Sequence, residues 1–269
     1  MVENRLRFLV TNDDGIYAPG LKALVDELSE LGHVVVVAPD RNQSGVGNGL
    51  TWQQPIRVRE ETAAFPRIRA YAVEGTPVDC VILAHDLLFG DAIDLVVSGI
   101  NRGPNLGEMD TLLSGTFSAA RHSNAYGLSG LAVSLCSMKA NEAREFHPAA
   151  RMAGAIVAAV GNDLVGKGML LNVNVPGVSL GEIKGVAVTK LAKQRHGSKI
   201  KAEARDDSAR PGCYWLTLQE NAQRGEKGSD VWAIRNGLVS LTPLAGRWDR
   251  YARQQLEERV AAIHRALLG

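Results

Sequence analysis

Asn12-Asp13-Asp14-Gly15 follows directly on the apolar run Leu6 to Val10. Two adjacent carboxylates at the end of a buried strand repel each other and are costly to desolvate, and a hard divalent cation removes both problems. Gly15 permits the sharp exit such a loop needs. Two more polar loops leave apolar runs further along: 39–50, which carries Ser44, and 99–114, which carries Asn101 and Asn105. Together with Asp13 and Asp14 these residues supply oxygen donors, a set suited to Mg²⁺, Mn²⁺ or Ca²⁺ rather than zinc or copper. Ser114-Gly115-Thr116 stands where the third loop gives way to a helix. Free backbone N–H groups, the helix dipole and two hydroxyls make that turn a candidate anion seat. Taken singly, each signal has a plainer reading. An isolated Asp-Asp is more often a cap or turn, a Ser or Asn in a glycine-rich loop more often bonds the backbone, and Ser114 alone is an ordinary N-cap. Convergence on one edge is what points to metal-dependent phosphate chemistry.

The elements that must position these residues read as alternating strands and helices. Leu21, Leu24, Val25 and Leu28 share a helical face, with Gly32 as a stop, and Val34 to Ala38 is a continuous apolar run like a strand buried on both sides. This opening is a β-α-β unit. Further strands are expected at Ala70–Val73, Asp94–Ser98, Leu131–Leu135, 170–175, 186–189, Cys213–Leu218 and Leu238–Leu241, the last closed by Pro243. Helices are expected from Pro77, near Gly115, across 148–164 and across 250–268, where Leu256, Val260, Ile263 and Leu267 form one stripe. The stretch 99–114 reads as a long loop, and Gly225 to Gly228 as a turn. In a parallel α/β sheet, ligands collect outside the carboxyl ends of the strands, the edge on which all three polar loops lie.

Composition narrows the function classes. Thirty Lys+Arg against 29 Asp+Glu gives a net charge of +1, which carries no polyanion-binding signature and argues against a nucleic-acid polymer as partner. Cys80, Cys136 and Cys213 form no CxxC pair, so neither a zinc site nor a disulfide framework is expected. No signal-peptide core or membrane-length apolar run is present, so a soluble cytoplasmic protein without a membrane partner is expected. The character changes after Thr189. Residues 190–210 hold seven Lys+Arg but three Asp+Glu, reading as a solvated extension or as an arm that packs on a partner subunit or steers phosphates. The expected division is a Rossmann-like catalytic core over 1–189, an extended hairpin arm over 190–235, and a C-terminal strand and helix over 236–269 packed with the core or a partner subunit. Trp215, Trp232 and Trp248 suit an interface and suit core packing equally.

Six ordered motifs make a family resemblance specific. Thr11-Asn12-Asp13-Asp14-Gly15-Ile16 with Ala18-Pro19-Gly20, then 38–45, Gly75-Thr76-Pro77-Val78-Asp79-Cys80-Val81, 97–107, Ser114-Gly115-Thr116 and, near the C-terminus, 239–244 resemble the SurE family, the survival-protein nucleotidases. The resemblance implies a mostly parallel Rossmann-like sheet flanked by helices, with a C-terminal hairpin and helix extension that exchanges between subunits of a homodimer or homotetramer. It implies a metal-dependent phosphomonoesterase acting on nucleoside monophosphates, a 5′-nucleotidase with 3′-nucleotidase and short-chain polyphosphatase activity as further options. It implies one divalent ion per subunit, Mn²⁺ or Mg²⁺ with Ca²⁺ as a structural substitute, held by Asp13, Asp14, Ser44 and Asn101. Asn105, Ser114, Gly115 and Thr116 would contact phosphate, and Asp13, Asp14 and Asn105 would carry catalysis. Two positions depart from the family pattern: Leu113 stands where Tyr is common, and Arg121-His122 where Met-Glu is frequent. Both flank the expected phosphate seat and bear on substrate preference and rate. His122 is either a proton donor to the leaving alkoxide or, more plainly, a structural histidine.

Other classes fit less well. A haloacid-dehalogenase-type phosphatase needs Asp-x-Asp, but Asn12 stands two before Asp14. A nicotinamide or flavin enzyme needs G-x-G-x-x-G in the first βα turn, which is missing. A catalytically retired nucleotide or phosphate sensor of the same fold is the remaining alternative.

Overall fold

The computed structural model describes residues 5–193, 199–204, 213–219, 225–245 and 250–268. Its centre is a nine-stranded sheet in the order β3-β4-β2-β1-β5-β6-β7-β11-β8. The strands are β1 (Arg7–Thr11), β2 (His33–Pro39), β3 (Val58–Glu60), β4 (Ala70–Val73), β5 (Leu95–Arg102), β6 (Ser129–Cys136), β7 (Leu170–Pro176), β8 (Gly185–Val188) and β11 (Leu238–Ala245). The six strands β4-β2-β1-β5-β6-β7 are mutually parallel, whereas β3 runs antiparallel to β4 and β11 antiparallel to β7. That parallel order is doubly wound, and it reverses direction between β1 and β5, where ligands gather in such sheets. β9 (Lys199–Ala204) and β10 (Tyr214–Gln219) form a separate antiparallel hairpin.

The strands are apolar on both faces because helices cover both. Phe8 and Val10 point into a large core with the helices α1 (Pro19–Leu31), α5 (His147–Leu164) and α7 (Arg250–Leu268), while Leu9 between them packs into a second core with α2 (Pro77–Leu83) and α4 (Gly115–His122). α1 starts with Pro19 in its first turn, buries Leu21, Leu24, Val25 and Leu28, and stops at Gly32 as expected. Each of those four side chains contributes about 1.5–3 kcal/mol of burial. Gly32 is extended rather than left-handed; it is required for space, since a Cβ there would lie 2.2 Å from the Leu6 carbonyl oxygen. The α7 stripe buries Leu256, Val260 and Ile263. Among the described residues no helix is long and apolar enough to cross a membrane.

Three expectations need correction. The segment 99–114 is not one loop: β5 continues to Arg102, and α3 (Gly107–Leu113) follows. α3 has no side-chain cap from its own N-cap residue, Leu106; the cap comes from Asp230, whose Oδ2 accepts from the Gly107 N–H at 2.7 Å. Asp230 opens α6 (Asp230–Arg235), a helix that the sequence reading placed within the extended arm. β11 is not closed by Pro243 but runs to Ala245. β8 pairs with β11 only as far as Leu241, so at Pro243 one flank is unpaired and the missing N–H is tolerated, with an irregularity between Pro243 and Ala245. The expected strand at 213–218 is β10, and the turn near Gly225–Gly228 closes with the Ser229 N–H on the Glu226 carbonyl. Trp248 and much of the basic stretch 190–210 lie outside the described residues.

Candidate active site

β1 and β5 lie side by side at the reversal of strand order, with Thr11 opposite Ser98. The chain beyond β1 therefore meets the end of β5. Asn12 shapes the turn through its own side chain: Nδ2 donates to the Gly15 carbonyl at 2.9 Å, and Oδ1 accepts from the Gly15 N–H at 3.2 Å. This local closure presents Asp13 and Asp14 on successive residues. Asp13 is only 3% exposed, whereas Asp14 is half-buried. Among the described residues neither carboxylate forms a salt bridge.

The surrounding loops converge on this pair. The Gln43 N–H donates to the Asp13 carbonyl at 2.7 Å, bringing the 39–50 loop onto the turn. Ser44 reaches Asp14 with its side chain, and the Arg102 N–H donates to Asp14 Oδ2 at 3.2 Å. Asn101, one residue before, donates its Nδ2 to the Gly103 carbonyl at 2.9 Å, which leaves Oδ1 as the amide atom suited to a cation. The Gly47 N–H donates to the Leu113 carbonyl at 3.0 Å, joining the same loop to the end of α3.

α4 arrives from the other side. Ser114 caps it, Oγ accepting from the Phe117 N–H at 3.0 Å, so the serine O–H remains able to donate outward. The Thr116 hydroxyl donates to Asp13 Oδ1, and its backbone N–H also favours the Asp13 carboxylate. Thr116 thus holds the carboxylate rather than offering its hydroxyl as a free donor. Gly115 lies against Asp13, and a Cβ there would come within 2.8 Å of the Asp13 Cβ and 3.1 Å of Pro77. Asp13, Asp14, Ser44, Gly115 and Thr116 are therefore in one cluster, with Asn101 and Ser114 adjoining in the chain. Among the described residues neither Asn101 nor Asn105 hydrogen-bonds to the two carboxylates.

Burial governs the electrostatics. Desolvation pushes Asp13 up to about 6, opposed by the Thr116 hydrogen bond and reinforced by the Asp14 charge. Desolvation also raises Asp14, opposed by the Arg102 N–H, the Arg102 charge and Ser44. Two raised carboxyls side by side are what a cation would relieve. The donors are carboxylate, hydroxyl and amide oxygens, and among the described residues no group of three His, Cys, Asp or Glu could hold a metal. The chemistry of the set fits a hard divalent ion. A cleft of about 160 Å³ opens beside Asp14, bounded by Asn42, Arg102, Asn141 and Phe146.

Four neighbours of the candidate site, Ser134, Asn172, Asn174 and Asp230, are not among the residues the sequence singles out. Asn105, 7% exposed, is gripped by Ser134 from β6 and by Asn172 and Asn174 from β7, and Asp230 accepts from Gly107 two residues on. The alternation of asparagines within the apolar run 170–175 was the available signal, since buried amides demand partners. The His122 ring meets Tyr126 edge-on at 5.9 Å, and burial lowers its pKa.

Comparison with known proteins agrees with this architecture. The family model described as Survival protein SurE matches residues 8–198. A 5′-nucleotidase SurE of Dehalococcoides mccartyi is 40% identical over 242 residues, covering 90% of this chain and 89% of the relative. A 5′-nucleotidase SurE 1 of Thermus thermophilus is 44% identical over 241 residues, covering 89% and 92%. The crystal structure of the SurE protein from Aquifex aeolicus superposes with a TM-score of 0.74 at 38% identity, covering 91% of this chain and 96% of the other. With its doubly wound sheet and its acidic turn at the reversal of strand order, the chain belongs to the SurE family.

Proposed function

We propose that this protein is a metal-dependent 5′-nucleotidase, hydrolysing nucleoside monophosphates to nucleoside and phosphate, with 3′-nucleotides and short polyphosphates as further substrates. The observation that carries the reading is the Asp13-Asp14 pair, without a salt bridge among the described residues, with Asp13 buried against the N-terminus of α4 and Asp14 half-buried beside it. The printed names of the relatives, 5′-nucleotidase SurE, support the same activity.

In this reading Asp13, Asp14, Ser44 and Asn101 hold one divalent ion, Mn²⁺ or Mg²⁺ with Ca²⁺ as a structural substitute. When bound, that ion supplies the positive charge and Lewis acidity that activate water and neutralise the phosphoryl group. The protein's own part is positioning. Thr116 fixes Asp13 in one rotamer by donating to Oδ1, so the carboxylate presents Oδ2 without reorganising. The absence of a side chain at Gly115 lets α4 come close to Asp13, so a phosphate bound at the helix start would sit beside the metal ligands. The Ser114 O–H and the Asn105 amide donate to phosphoryl oxygens, holding the group for in-line attack. The core is taken as 1–189, the arm as 190–235 and the C-terminal strand and helix as 236–269, in a cytoplasmic homodimer or homotetramer. Exposed Tyr214, Trp215 and Leu216 on β10 support an arm that packs on a partner subunit, and sedimentation velocity reads the subunit number directly.

The test is phosphate release from nucleoside 5′- and 3′-monophosphates after chelation, with Mn²⁺, Mg²⁺ or Ca²⁺ added back. Release that depends on Mn²⁺ or Mg²⁺ and favours 5′-nucleotides is expected. Release unaffected by chelation, or none with any metal, would overturn the proposal.

A further inference from the structure

The β7 asparagines have no part in the roles assigned above, yet they are fully buried. β7 alternates: Leu171, Val173 and Val175 enter the main core, so Asn172 and Asn174 face the other side of the sheet. There both bond to Asn105, and Asn174 Oδ1 also accepts from the Cys136 thiol at 3.9 Å. The Asn174 amide accepts from the Asn105 N–H at 2.9 Å and donates to the Asn105 carbonyl at 3.0 Å. Asn172 Nδ2 donates to that same carbonyl at 2.9 Å. Ser134, opposite Asn174 on β6, accepts from the Asn105 side-chain amide at 2.9 Å. Asn105 thus has its backbone clamped at both polar atoms and its side chain oriented, by residues 29 to 69 positions away in sequence.

This arrangement is costly if it is merely structural. Asn172 Oδ1 is buried without a hydrogen-bond partner, so that side chain makes one useful bond and leaves an acceptor unpaired. A leucine or valine would fill the space without that penalty. The bonds converge on the one loop residue assigned to phosphate, rather than being spread along the loop.

We propose that Asn172 and Asn174, with Ser134, are positioning residues that hold Asn105 at the phosphate seat. The inference rests on the reading of Asn105 as a phosphate contact. Ser134 sets the amide so that one Nδ2 hydrogen is engaged and the other can donate to phosphate. Asn172 and Asn174 prevent the 103–106 loop from drifting, and a displacement of an ångström at such a contact lowers turnover by orders of magnitude.

The experiment compares Mn²⁺-dependent hydrolysis of 5′-AMP, and its inhibition by inorganic phosphate, in the wild type, Asn105→Ala, Asn172→Ala, Asn174→Ala and Asn105→Ala/Asn174→Ala. Thermal unfolding establishes that each is folded at the assay temperature. Asn174→Ala should lower kcat/KM at least tenfold and weaken phosphate inhibition, with Asn172→Ala showing a smaller loss. Asn174→Ala should add less than about twofold in the Asn105→Ala background, because its effect passes through Asn105. Asn174→Asp, which keeps the acceptor for the Asn105 N–H, should recover part of the loss. An impaired Asn105→Ala beside Asn172→Ala and Asn174→Ala proteins of wild-type kcat/KM would overturn the clamp alone, as would fully multiplicative effects in the double variant. An active Asn105→Ala would overturn the phosphate-contact reading and the clamp with it. If Asn174→Ala is unfolded, Asn172→Ala, which loses one bond and an unpaired acceptor, decides by the same criteria.

Discussion

Burial makes Asp13 costly to hold as a charged carboxylate. Its carboxyl is buried and pushed up to about 6, against an ordinary value of 3.8. A carboxyl whose folded value exceeds its unfolded value stabilises the fold in its protonated form. That contribution is complete below about pH 4 and is lost as pH rises through about 6. In metal-free protein, the stability of the wild type relative to Asp13→Asn should therefore fall by about 3 kcal/mol across that window. Saturating Mn²⁺ should reverse the fall above pH 6. Urea unfolding of both proteins in chelator between pH 4 and 7.5 measures it, and a difference that stays flat would contradict the burial argument. The acidic pair was legible in the sequence because Asn12, Gly15 and a strand end are all local signals. That Thr116 holds Asp13 was not, since the two meet across 103 residues.

At the scale of elements, what was legible depended on where each element finds its caps and pairs. α1, with Pro19 and its apolar stripe, carries its own signals, and α2 has Thr76 and Asp79 in a reciprocal cap, the Asp79 N–H on Thr76 Oγ1 at 3.1 Å and the Thr76 N–H on Asp79 Oδ2 at 2.8 Å. α3 has no such local cap, so its sequence reads as loop. Its start is held by Asp230, which also accepts from the Ala192 and Val231 N–H groups at 2.9 and 2.8 Å. α6 and the chain at 190–192 are thereby fastened to the segment between Asn105 and Ser114. Asp230→Ala leaves three N–H groups without this acceptor and should cost at least about 2 kcal/mol. It should also lower kcat/KM for a nucleotide, because α3 links both expected phosphate contacts. Chemical denaturation with steady-state kinetics tests this; loss of stability with unchanged kcat/KM would show that the cap serves the fold alone.

Across the whole molecule, the fold brings one functional centre together from distant parts of the chain. The doubly wound order sets β1 beside β5, so the acidic turn and the end of β5 meet at the reversal point, and helices on both faces keep the strands buried. Apolar runs alternating with helical stripes make a parallel, helix-covered sheet readable from the sequence, but not the pairing of β1 with β5. The insertion of β11 between β7 and β8 was not readable either, because only long-range pairing decides which strand of a sheet lies beside which. The asparagine clamp escaped for the same reason. Asp13 is proposed above to anchor a metal-dependent phosphatase centre. That proposal is tested most directly by following phosphate release from 5′-AMP through a Mn²⁺ titration of chelated wild type and Asp13→Asn. Saturable activation of the wild type is expected and, at every Mn²⁺ concentration, a rate about 10²–10³-fold lower in the variant, the scale of losing an electrostatic catalytic contact. Equal rates in the two proteins, or wild-type release that persists in chelator, would contradict it.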